Sequence, residues 1–185
     1  SLSERFLQQK MPEFMTAHPD LRDKSPIDVF AYVNSELRKN NDSTIREICR
    51  ASEARQLWQD VFLRMKDAAP MARFGDHRTW MYGGKVIGDS LHLGVDLAST
   101  SQAPIESANR GIVAFAGPLG IYGNTVIVDH GQGLFTLYAH LSDVSVQKGL
   151  AVKRGETLGR SGLSGLAGGD HLHFSMIVGG QFVDC

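Results

Sequence analysis

The residues best suited to chemistry include two histidines near the carboxyl end of the chain, in the segment His171-Leu172-His173-Phe174. On a β-strand, residues two apart face the same side, so both imidazoles would point one way while Leu172 and Phe174 enter the core. Imidazole binds metals and moves protons near neutral pH. Surface strands also carry His-x-His pairs by chance, so this pair alone is only a weak indication of a metal or catalytic site.

A second pair, His92 and Asp96, stands four residues apart in the segment His92-Leu-Gly-Val-Asp96. Gly94 and Val95 favour a strand here over a helix, and in either structure residues four apart share a face. The two side chains can therefore converge on one ion. A hydrogen-bonded histidine–aspartate pair without a metal explains this segment equally well when it is taken alone.

A third candidate is His140, in the segment Tyr138-Ala-His140-Leu141 at the end of a predicted strand. A single histidine in this position is more often structural. The combination of the three segments is more informative, because two histidines and one carboxylate complete a three-ligand zinc set with an open fourth position. That set is typical of catalytic zinc. Two further histidines then remain for proton transfer and charge stabilisation.

Glycine divides the chain into two parts that must position these side chains. Residues 1–74 contain no glycine, whereas all 20 glycines and six of the seven histidines lie from Gly75 onward. A glycine-free segment followed by a glycine-punctuated one predicts helices followed by a β-rich domain. We therefore expect an α+β chain, with a helical segment over 1–70 and a mainly antiparallel β domain over 71–185.

Local signals indicate three helices in the first part. Ser25-Pro26 predicts the start of a helix, with a capping hydroxyl before a proline at the first helical position. Asn40-Asn41 predicts its end, and a further helix would begin near Asp42 and run through Ile45. The opening stretch predicts another helix that ends before Pro12. We expect the apolar faces of these helices to be packing surfaces.

Short apolar runs bounded by turn residues predict strands in the second part. The segment His130-Gly-Gln-Gly133 would join two of them into a hairpin, and Gly179-Gly180 would turn another strand back on itself. The predicted strands are Gly111–Ala116, Thr125–Asp129, Leu134–Tyr138, His171–Val178 and Gln181–Val183.

Composition excludes several classes of function. The 185 residues are 42% hydrophobic and carry a net charge of -1, which is ordinary globular composition and makes nucleic acid an unfavourable partner. No apolar run has the roughly 20 residues of a membrane span, although an anchor upstream of this chain would be compatible with it. Cys49 falls on an apolar helical position and Cys185 is the last residue. Two cysteines are too few for a cysteine-based zinc site, and nothing supports a disulfide between them.

With these motifs in order, the chain resembles the lysostaphin/LytM-type zinc metallopeptidases, which are peptidoglycan endopeptidases. The resemblance rests on His92-x-x-x-Asp96, Tyr138-Ala-His140-Leu141 and His171-Leu-His173-Phe, and it runs from about Phe74 to Val183. The segment 120–125, Gly-Ile-Tyr-Gly-Asn-Thr, is also similar to the family. Three motifs in the family's order at family-like intervals are a highly specific signal.

The resemblance implies a mainly antiparallel β core with the site in a groove. It implies that one zinc ion is held by His92, Asp96 and His173, and that His140 and His171 are catalytic. The implied activity is hydrolysis of cross-links between peptidoglycan peptide stems, most simply of the D,D-endopeptidase type. The implied location is the cell envelope, either periplasmic or secreted.

Two other functions stay open at this point. One is a catalytically silent relative that binds peptidoglycan or a wall amidase and regulates it, although such relatives typically lose metal ligands. The other is a metalloenzyme that acts on different peptides. For the helical segment we expect packing beside the catalytic domain, and a sharper hypothesis is that it partly covers the groove.

Overall fold

The computed structural model describes all residues from Ser1 to Cys185, with a helical first part and a β-rich second part. The α-helices are α1 (Glu4–Ala17), α2 (Pro26–Tyr32) and α3 (Arg38–Ile48), with a π-helical turn at Val33–Leu37 and 3₁₀ turns at Pro19–Leu21 and Gly120–Tyr122. The strands are β1 (Ala69–Ala72), β2 (His77–Tyr82), β3 (Lys85–Leu91), β4 (Val95–Ala98), β5 (Pro104–Glu106), β6 (Gly111–Pro118), β7 (Asn124–Asp129), β8 (Leu134–Leu141), β9 (Asp143–Val144), β10 (Ala151–Val152), β11 (Thr157–Arg160), β12 (Leu172–Val178) and β13 (Gln181–Val183).

All strand pairs are antiparallel. The main sheet has eight strands, in the order β1-β4-β12-β8-β7-β6-β10 with β13 paired to β12. A smaller sheet has the order β5-β11-β9, and β2 pairs with β3 in a separate hairpin. The predicted fold, a mainly antiparallel β domain preceded by a small helical segment, is confirmed. The boundary near residue 70 coincides with the start of β1, and as a domain boundary it stays a prediction.

The helix start predicted at Ser25-Pro26 is confirmed, whereas the one predicted near Asp42 is wrong because α3 begins at Arg38. Ser25 caps α2 by accepting a hydrogen bond from the Asp28 N–H at 3.3 Å, as expected. The prediction that Pro12 ends the first helix is wrong, because α1 continues to Ala17 and buries side chains on both sides of the proline. The predicted break at Asn40-Asn41 is also wrong. There the helix is continuous, and the Asn41 side chain makes a tertiary contact instead of ending it.

One apolar core joins the helices to the main sheet. Buried side chains from α1, α2 and α3, including Met11, Phe30 and Ile45, belong to the same cluster as Ile121 from a 3₁₀ turn and Phe135 from β8. The helical segment is therefore packed on one face of the sheet. Removing the helices would expose that face to water, so a truncated chain would lose much of its core.

The opposite face of the sheet has a second core. Leu172, Leu97 and Tyr138 are buried in it, and Phe174 packs against it. Leu172 and Phe174 therefore enter the core, as the alternation predicted. Cys49 is buried and Cys185 is exposed, and both are free thiols. None of the helices combines the length and the apolar character that crossing a membrane requires.

Asn41 offers a test of how the helices dock. Its buried side-chain Oδ1 accepts a hydrogen bond at 2.9 Å from the Ile121 N–H, in the turn that leads to the candidate site. In Asn41→Ala the buried N–H would lose its partner. We expect the free energy of unfolding, measured in urea, to fall by about 1–3 kcal/mol.

The neighbouring exposed residue Asn40 provides the control for this experiment, because Asn40→Ala removes no tertiary contact of its side chain. We expect Asn40→Ala to change the free energy of unfolding by less than about 0.5 kcal/mol. Equal destabilisation by the two variants would contradict the docking role of Asn41.

Candidate metal centre

His92 and Asp96 lie close together in space but differ in the backbone structure that holds them. Asp96 lies within β4, whereas His92 lies in the short connection between β3 and β4, so the prediction that both stand on one strand is wrong for His92. The connection is held by backbone hydrogen bonds from the Gly75 N–H to the His92 carbonyl (2.8 Å) and from the His92 N–H to the Asp76 carbonyl (3.0 Å). These bonds fix the direction of the imidazole.

The register of the main sheet places His173 beside Asp96. His173 on β12 is paired with Asp96 on β4 and with Ala139 on β8, so it lies on the central strand of three. Directly opposed residues of an antiparallel pair carry their side chains on the same face. The sheet therefore brings together two groups that lie far apart in the sequence.

Three side-chain atoms form a small triangle at this point. His92 Nε2 lies 2.9 Å from Asp96 Oδ1 and 3.0 Å from His173 Nδ1, and His173 Nδ1 lies 3.0 Å from Asp96 Oδ1. All three residues are buried. The sequence assigned the same three residues as a ligand set, and the structure brings them together.

The other nitrogen of each ligand ring has its own partner, which fixes the tautomer. His92 Nδ1 lies 2.8 Å from the Arg73 carbonyl oxygen, to which it must donate. Ser175 donates its hydroxyl to the Leu93 carbonyl at 2.8 Å, so this hydroxyl accepts the proton of His173 Nε2 at 3.0 Å. The two nitrogens that face Asp96 therefore carry lone pairs. In these tautomers, three acceptors aimed at one another are a donor set suited to a cation.

The size of the triangle fits zinc. Zinc bonds of about 2.0–2.1 Å in tetrahedral geometry separate neighbouring ligand atoms by about 3.3 Å. The observed separations of 2.9–3.0 Å would widen by only a few tenths of an ångström around such an ion. Two imidazole nitrogens and one carboxylate oxygen are also a donor set that zinc accepts, with a fourth position left for water or substrate.

His140 and His171 lie next to the triangle. Their ring centroids are 4.9 Å apart, and the His140 ring is 5.9 Å from that of His173. Each Nδ1 lies within hydrogen-bond distance of a backbone carbonyl oxygen, at 2.9 Å from Ser164 for His140 and at 2.8 Å from Gly169 for His171. Donation to these carbonyls leaves both Nε2 atoms without a backbone partner, as acid–base groups require. His171 Nε2 lies 3.6 Å from Asp96 Oδ1.

The backbone of His140 explains how its ring reaches the site. In a regular strand His140 would face the same side as Tyr138, which lies in the core on the other face of the sheet. His140 instead has a φ of 63°, in the left-handed region that side chains other than glycine rarely adopt. This strained turn redirects the ring toward His171, and such strain is concentrated at functional sites.

The pKa values of the two adjacent histidines, His140 and His171, are shifted in opposite directions. Burial, together with the neighbouring His173 and His171, lowers the pKa of His140 well below its usual value, so this ring is neutral. Burial acts against ionisation of His171 as well, but its contact with Asp96 and its bond to the Gly169 carbonyl outweigh burial and raise its pKa. Burial alone would raise the pKa of Asp96, but its interactions with the surrounding His171, His173 and His92 rings lower it far below the usual range.

Arg78 completes the surroundings of Asp96, although no motif in the sequence indicates this role. Its Nη2 donates to Asp96 Oδ2 at 3.0 Å, so the two carboxylate oxygens have separate partners. Alternation along β2 directs Arg78 toward the site and its neighbour His77 toward solvent. Ser175 was likewise missed, because a serine two residues after a histidine carries no recognisable pattern.

The cleft around the four histidines is small. It encloses about 60 Å³, and besides the histidines, Asp96 and Arg78 it is lined by Arg38, Trp80, Leu93, Ile121, Tyr122 and Leu166. Tyr122 packs edge-on against His173, with ring centroids 5.5 Å apart, and donates its hydroxyl to Asp42 Oδ1 at 2.7 Å. A larger cavity of about 700 Å³ lies on the opposite face of the sheet, beside Leu172 and Phe174, and is separate from this site.

His130 is structural in this fold. Its ring is fully buried, with Nδ1 2.6 Å from the Arg110 carbonyl oxygen and Nε2 2.7 Å from Thr136 Oγ1. Burial lowers its pKa, so it stays neutral. It joins the end of β7 to the neighbouring strands and lies outside the cleft.

Comparison with known proteins identifies the family. A model described as peptidase family M23 matches residues 90–185, which is more than half of the chain. The chain belongs to peptidase family M23. The match includes all five histidine and aspartate side chains of the candidate site.

Relatives of this M23 domain include the peptidoglycan DD-endopeptidase ShyA of Vibrio cholerae, which is 38% identical over 93 residues, 50% of this chain and 22% of that protein. The DD-carboxypeptidase/endopeptidase Mpg of Neisseria meningitidis serogroup B is 40% identical over 94 residues, which is 51% of this chain and 22% of that protein. The chain therefore spans about a fifth of the length of this curated relative.

Solved structures of M23 proteins share the fold. A zinc-containing peptidase from Vibrio cholerae has a TM-score of 0.57 and 29% identity, over 73% of this chain and 39% of that one. The catalytic domain of lysostaphin from Staphylococcus simulans has a TM-score of 0.55 and 26% identity, over 65% of this chain and 90% of that domain. The lysostaphin-like fold expected from the sequence is confirmed.

Gly94 allows the backbone before β4 to approach the site. A Cβ added at this position would overlap the Phe174 carbonyl oxygen and would lie 2.5 Å from Ser175 Oγ and 2.8 Å from His173 Nε2. Ser175 orients the candidate ligand His173, and the added Cβ would collide with both side chains. We therefore expect Gly94→Ala to disturb the site. The free energy of unfolding of the metal-free protein, measured in urea, should fall by about 1–3 kcal/mol.

Gly168, in the loop before His171, is the matched control for this measurement. A Cβ there would meet only Phe6, at an ordinary contact distance of 3.9 Å. We expect Gly168→Ala to change the free energy of unfolding by less than about 1 kcal/mol in either direction. If Gly94→Ala were as stable as Gly168→Ala, the close approach at Gly94 would not constrain the site.

Proposed function

We propose that this M23 member is a zinc-dependent endopeptidase that hydrolyses peptide cross-links of bacterial peptidoglycan. The observation that carries the proposal is the convergence of three lone-pair donors, His92 Nε2, Asp96 Oδ1 and His173 Nδ1, beside two further histidines whose Nε2 atoms have no backbone partner. The name of the Vibrio relative, a peptidoglycan DD-endopeptidase, supports peptidoglycan as substrate, and the name of the Neisseria relative also favours a D,D-endopeptidase. On this proposal residues 71–185 form the catalytic domain and 1–70 the helical segment.

His92, Asp96 and His173, which line the cleft, would hold the metal. Bound there, zinc would lower the pKa of a coordinated water toward about 7 and polarise the scissile carbonyl. Arg78, paired with the other oxygen of Asp96, keeps the carboxylate oriented with Oδ1 toward the ion. Ser175 holds the His173 ring with Nδ1 inward.

His140 and His171 would carry the protons. Each ring is fixed by a backbone carbonyl at Nδ1, so each Nε2 can accept a proton from the attacking water or donate one to the departing amine. A protonated ring beside the polarised carbonyl would also stabilise the developing negative charge. No Glu stands in the His-Glu-x-x-His arrangement of other zinc peptidases, so these two histidines replace it.

The regulatory alternative, a catalytically silent wall- or amidase-binding protein, has less support. A silent relative needs neither a complete set of metal donors nor two histidine rings oriented by hydrogen bonds for proton transfer. All five side chains are present and adjacent in this chain. Because the proposed substrate is the cell wall, the proposed place of action is the cell envelope, as a periplasmic or secreted protein.

Histidine variants separate metal binding from turnover. We expect His92→Ala and His173→Ala to lose both zinc, measured by mass spectrometry of dialysed protein, and release of peptides from purified peptidoglycan. We expect His140→Ala to retain one zinc per chain, because this ring is no member of the donor triangle. Its turnover should fall by about 10²–10⁴-fold through loss of proton transfer.

His77→Ala is the control, because His77 is exposed on β2 outside the cleft. It should keep both zinc and turnover. A fully active His140→Ala enzyme would end the role proposed for that residue. A zinc-loaded wild-type chain that releases no peptides would favour the silent regulator.

A further inference from the structure

Arg38 is a charged side chain whose guanidinium is only partly hydrogen-bonded within the protein. It begins α3 in the helical segment, yet its guanidinium lines the cleft that contains the candidate metal ligands. Its Nη2 donates to Asn34 Oδ1 at 3.2 Å, and its Nε is buried without a hydrogen-bond partner in the protein. Nη1 also makes no hydrogen bond within the protein, so a guanidinium that is only partly paired keeps donors on the terminal nitrogens for a ligand in the cleft.

Arg38 has no carboxylate in direct contact with its guanidinium. It forms no ion pair, and the nearby Asp42 accepts a hydrogen bond from the Tyr122 hydroxyl instead. Burial lowers the pKa of Arg38, and the charge of Arg78 acts in the same direction, although attraction to Tyr122 and Asp42 opposes both. Arg38 and Arg78 both line the same cleft.

Arg78 also has donors to spare. One of its N–H groups is used on Asp96 Oδ2, and the side chain is 36% exposed at the mouth of the cleft. An arginine presents five N–H donors in a planar fork that matches a carboxylate. Arg78 can therefore hold Asp96 and still offer donors to a second anion.

The cleft has more positive than negative ionised side chains, unlike the chain as a whole. The whole chain carries a net charge of -1, whereas the ionised side chains of the cleft are two arginines and one aspartate, before any metal is counted. A divalent ion at the donor triangle would make the cleft still more positive. A neutral peptide bond needs no such field, because the metal already polarises the carbonyl.

We propose that Arg38 and Arg78 together bind a free carboxylate of the peptide substrate, next to the scissile bond. This proposal rests on the proposed function, and it names the substrate group that the two arginines recognise. The cleft of about 60 Å³ admits a small group of this kind and excludes a folded peptide segment. The helical segment is then a part of the substrate site, since it supplies Arg38.

Binding of matched peptides tests the proposal directly. The protein is the full chain as His140→Ala, loaded with zinc, so that ligands are not consumed. Three dipeptides of D-amino acids are titrated calorimetrically: one with a free carboxyl terminus, its carboxamide, and an isomer with an amidated terminus and a side-chain carboxylate. We expect one of the two carboxylate peptides to bind about 10- to 100-fold more tightly than the carboxamide, and which one it is identifies the source of the carboxylate.

Arginine variants locate the effect. In this background Arg38→Gln and Arg78→Gln should each weaken binding of the preferred carboxylate peptide by about 10-fold or more. Arg38 contacts no candidate metal ligand, so Arg38→Gln should leave binding of the carboxamide within about 2-fold. Arg38→Lys should retain part of the preference, because it keeps the charge without the fork. Arg50→Gln is the control, because Arg50 is exposed beyond the end of α3 and pairs only with Glu47. It should bind like the parent, and zinc content and thermal unfolding confirm that each variant is folded.

Several results would overturn the proposal. Equal binding of acid and carboxamide peptides would do so, even if the wild-type chain hydrolyses peptidoglycan. If Arg38→Gln increased turnover of the wild-type chain on both kinds of peptide, the helical segment would be a cover over the groove and not part of the substrate site. If Arg38→Gln failed to fold, Arg78→Gln and the comparison of peptides on the parent would decide. A carboxylate preference in a chain without hydrolytic activity would support the binding site and reject the proposed function.

Discussion

Three acceptor atoms held about 3 Å apart are the constraint on which the rest of the molecule depends. His92 Nε2, Asp96 Oδ1 and His173 Nδ1 would repel one another without a positive charge between them. The surrounding groups maintain this arrangement, since Arg73 and Ser175 fix the two tautomers and Arg78 holds the second carboxylate oxygen. A site that is unfavourable when empty is one that favours binding of a cation.

The antiparallel sheet makes that arrangement possible. Pairing of β12 with β4 sets His173 against Asp96, while β8 on the other side brings the strained His140 to the same face. The apolar core shared with the helices covers this face, and Asn41 and Asp42 of α3 bond directly to the turn that carries Tyr122. The helical segment therefore contributes to stability and also lines the cleft through Arg38. No sequence motif in that segment indicated a role in the site.

The sequence predicted what depends on local pattern. Alternation along β12 correctly placed His171 and His173 on the face opposite Leu172 and Phe174, and the glycine distribution correctly separated helices from strands. It failed where tertiary contacts override local preference, as at Asn41, which continues a helix because its side chain bonds to Ile121. The left-handed backbone of His140 and the approach of Arg38 and Arg78 depend on three-dimensional packing, and no spacing in the sequence encodes them.

Anomalous diffraction from crystals of the zinc-loaded protein, recorded above and below the zinc absorption edge, tests the central claim most directly. The account predicts one strong zinc peak, within about 2.0–2.2 Å of His92 Nε2, Asp96 Oδ1 and His173 Nδ1, with a fourth position open to the cleft. A peak bound by other residues, or the absence of any peak at this triangle in zinc-saturated crystals, would contradict it.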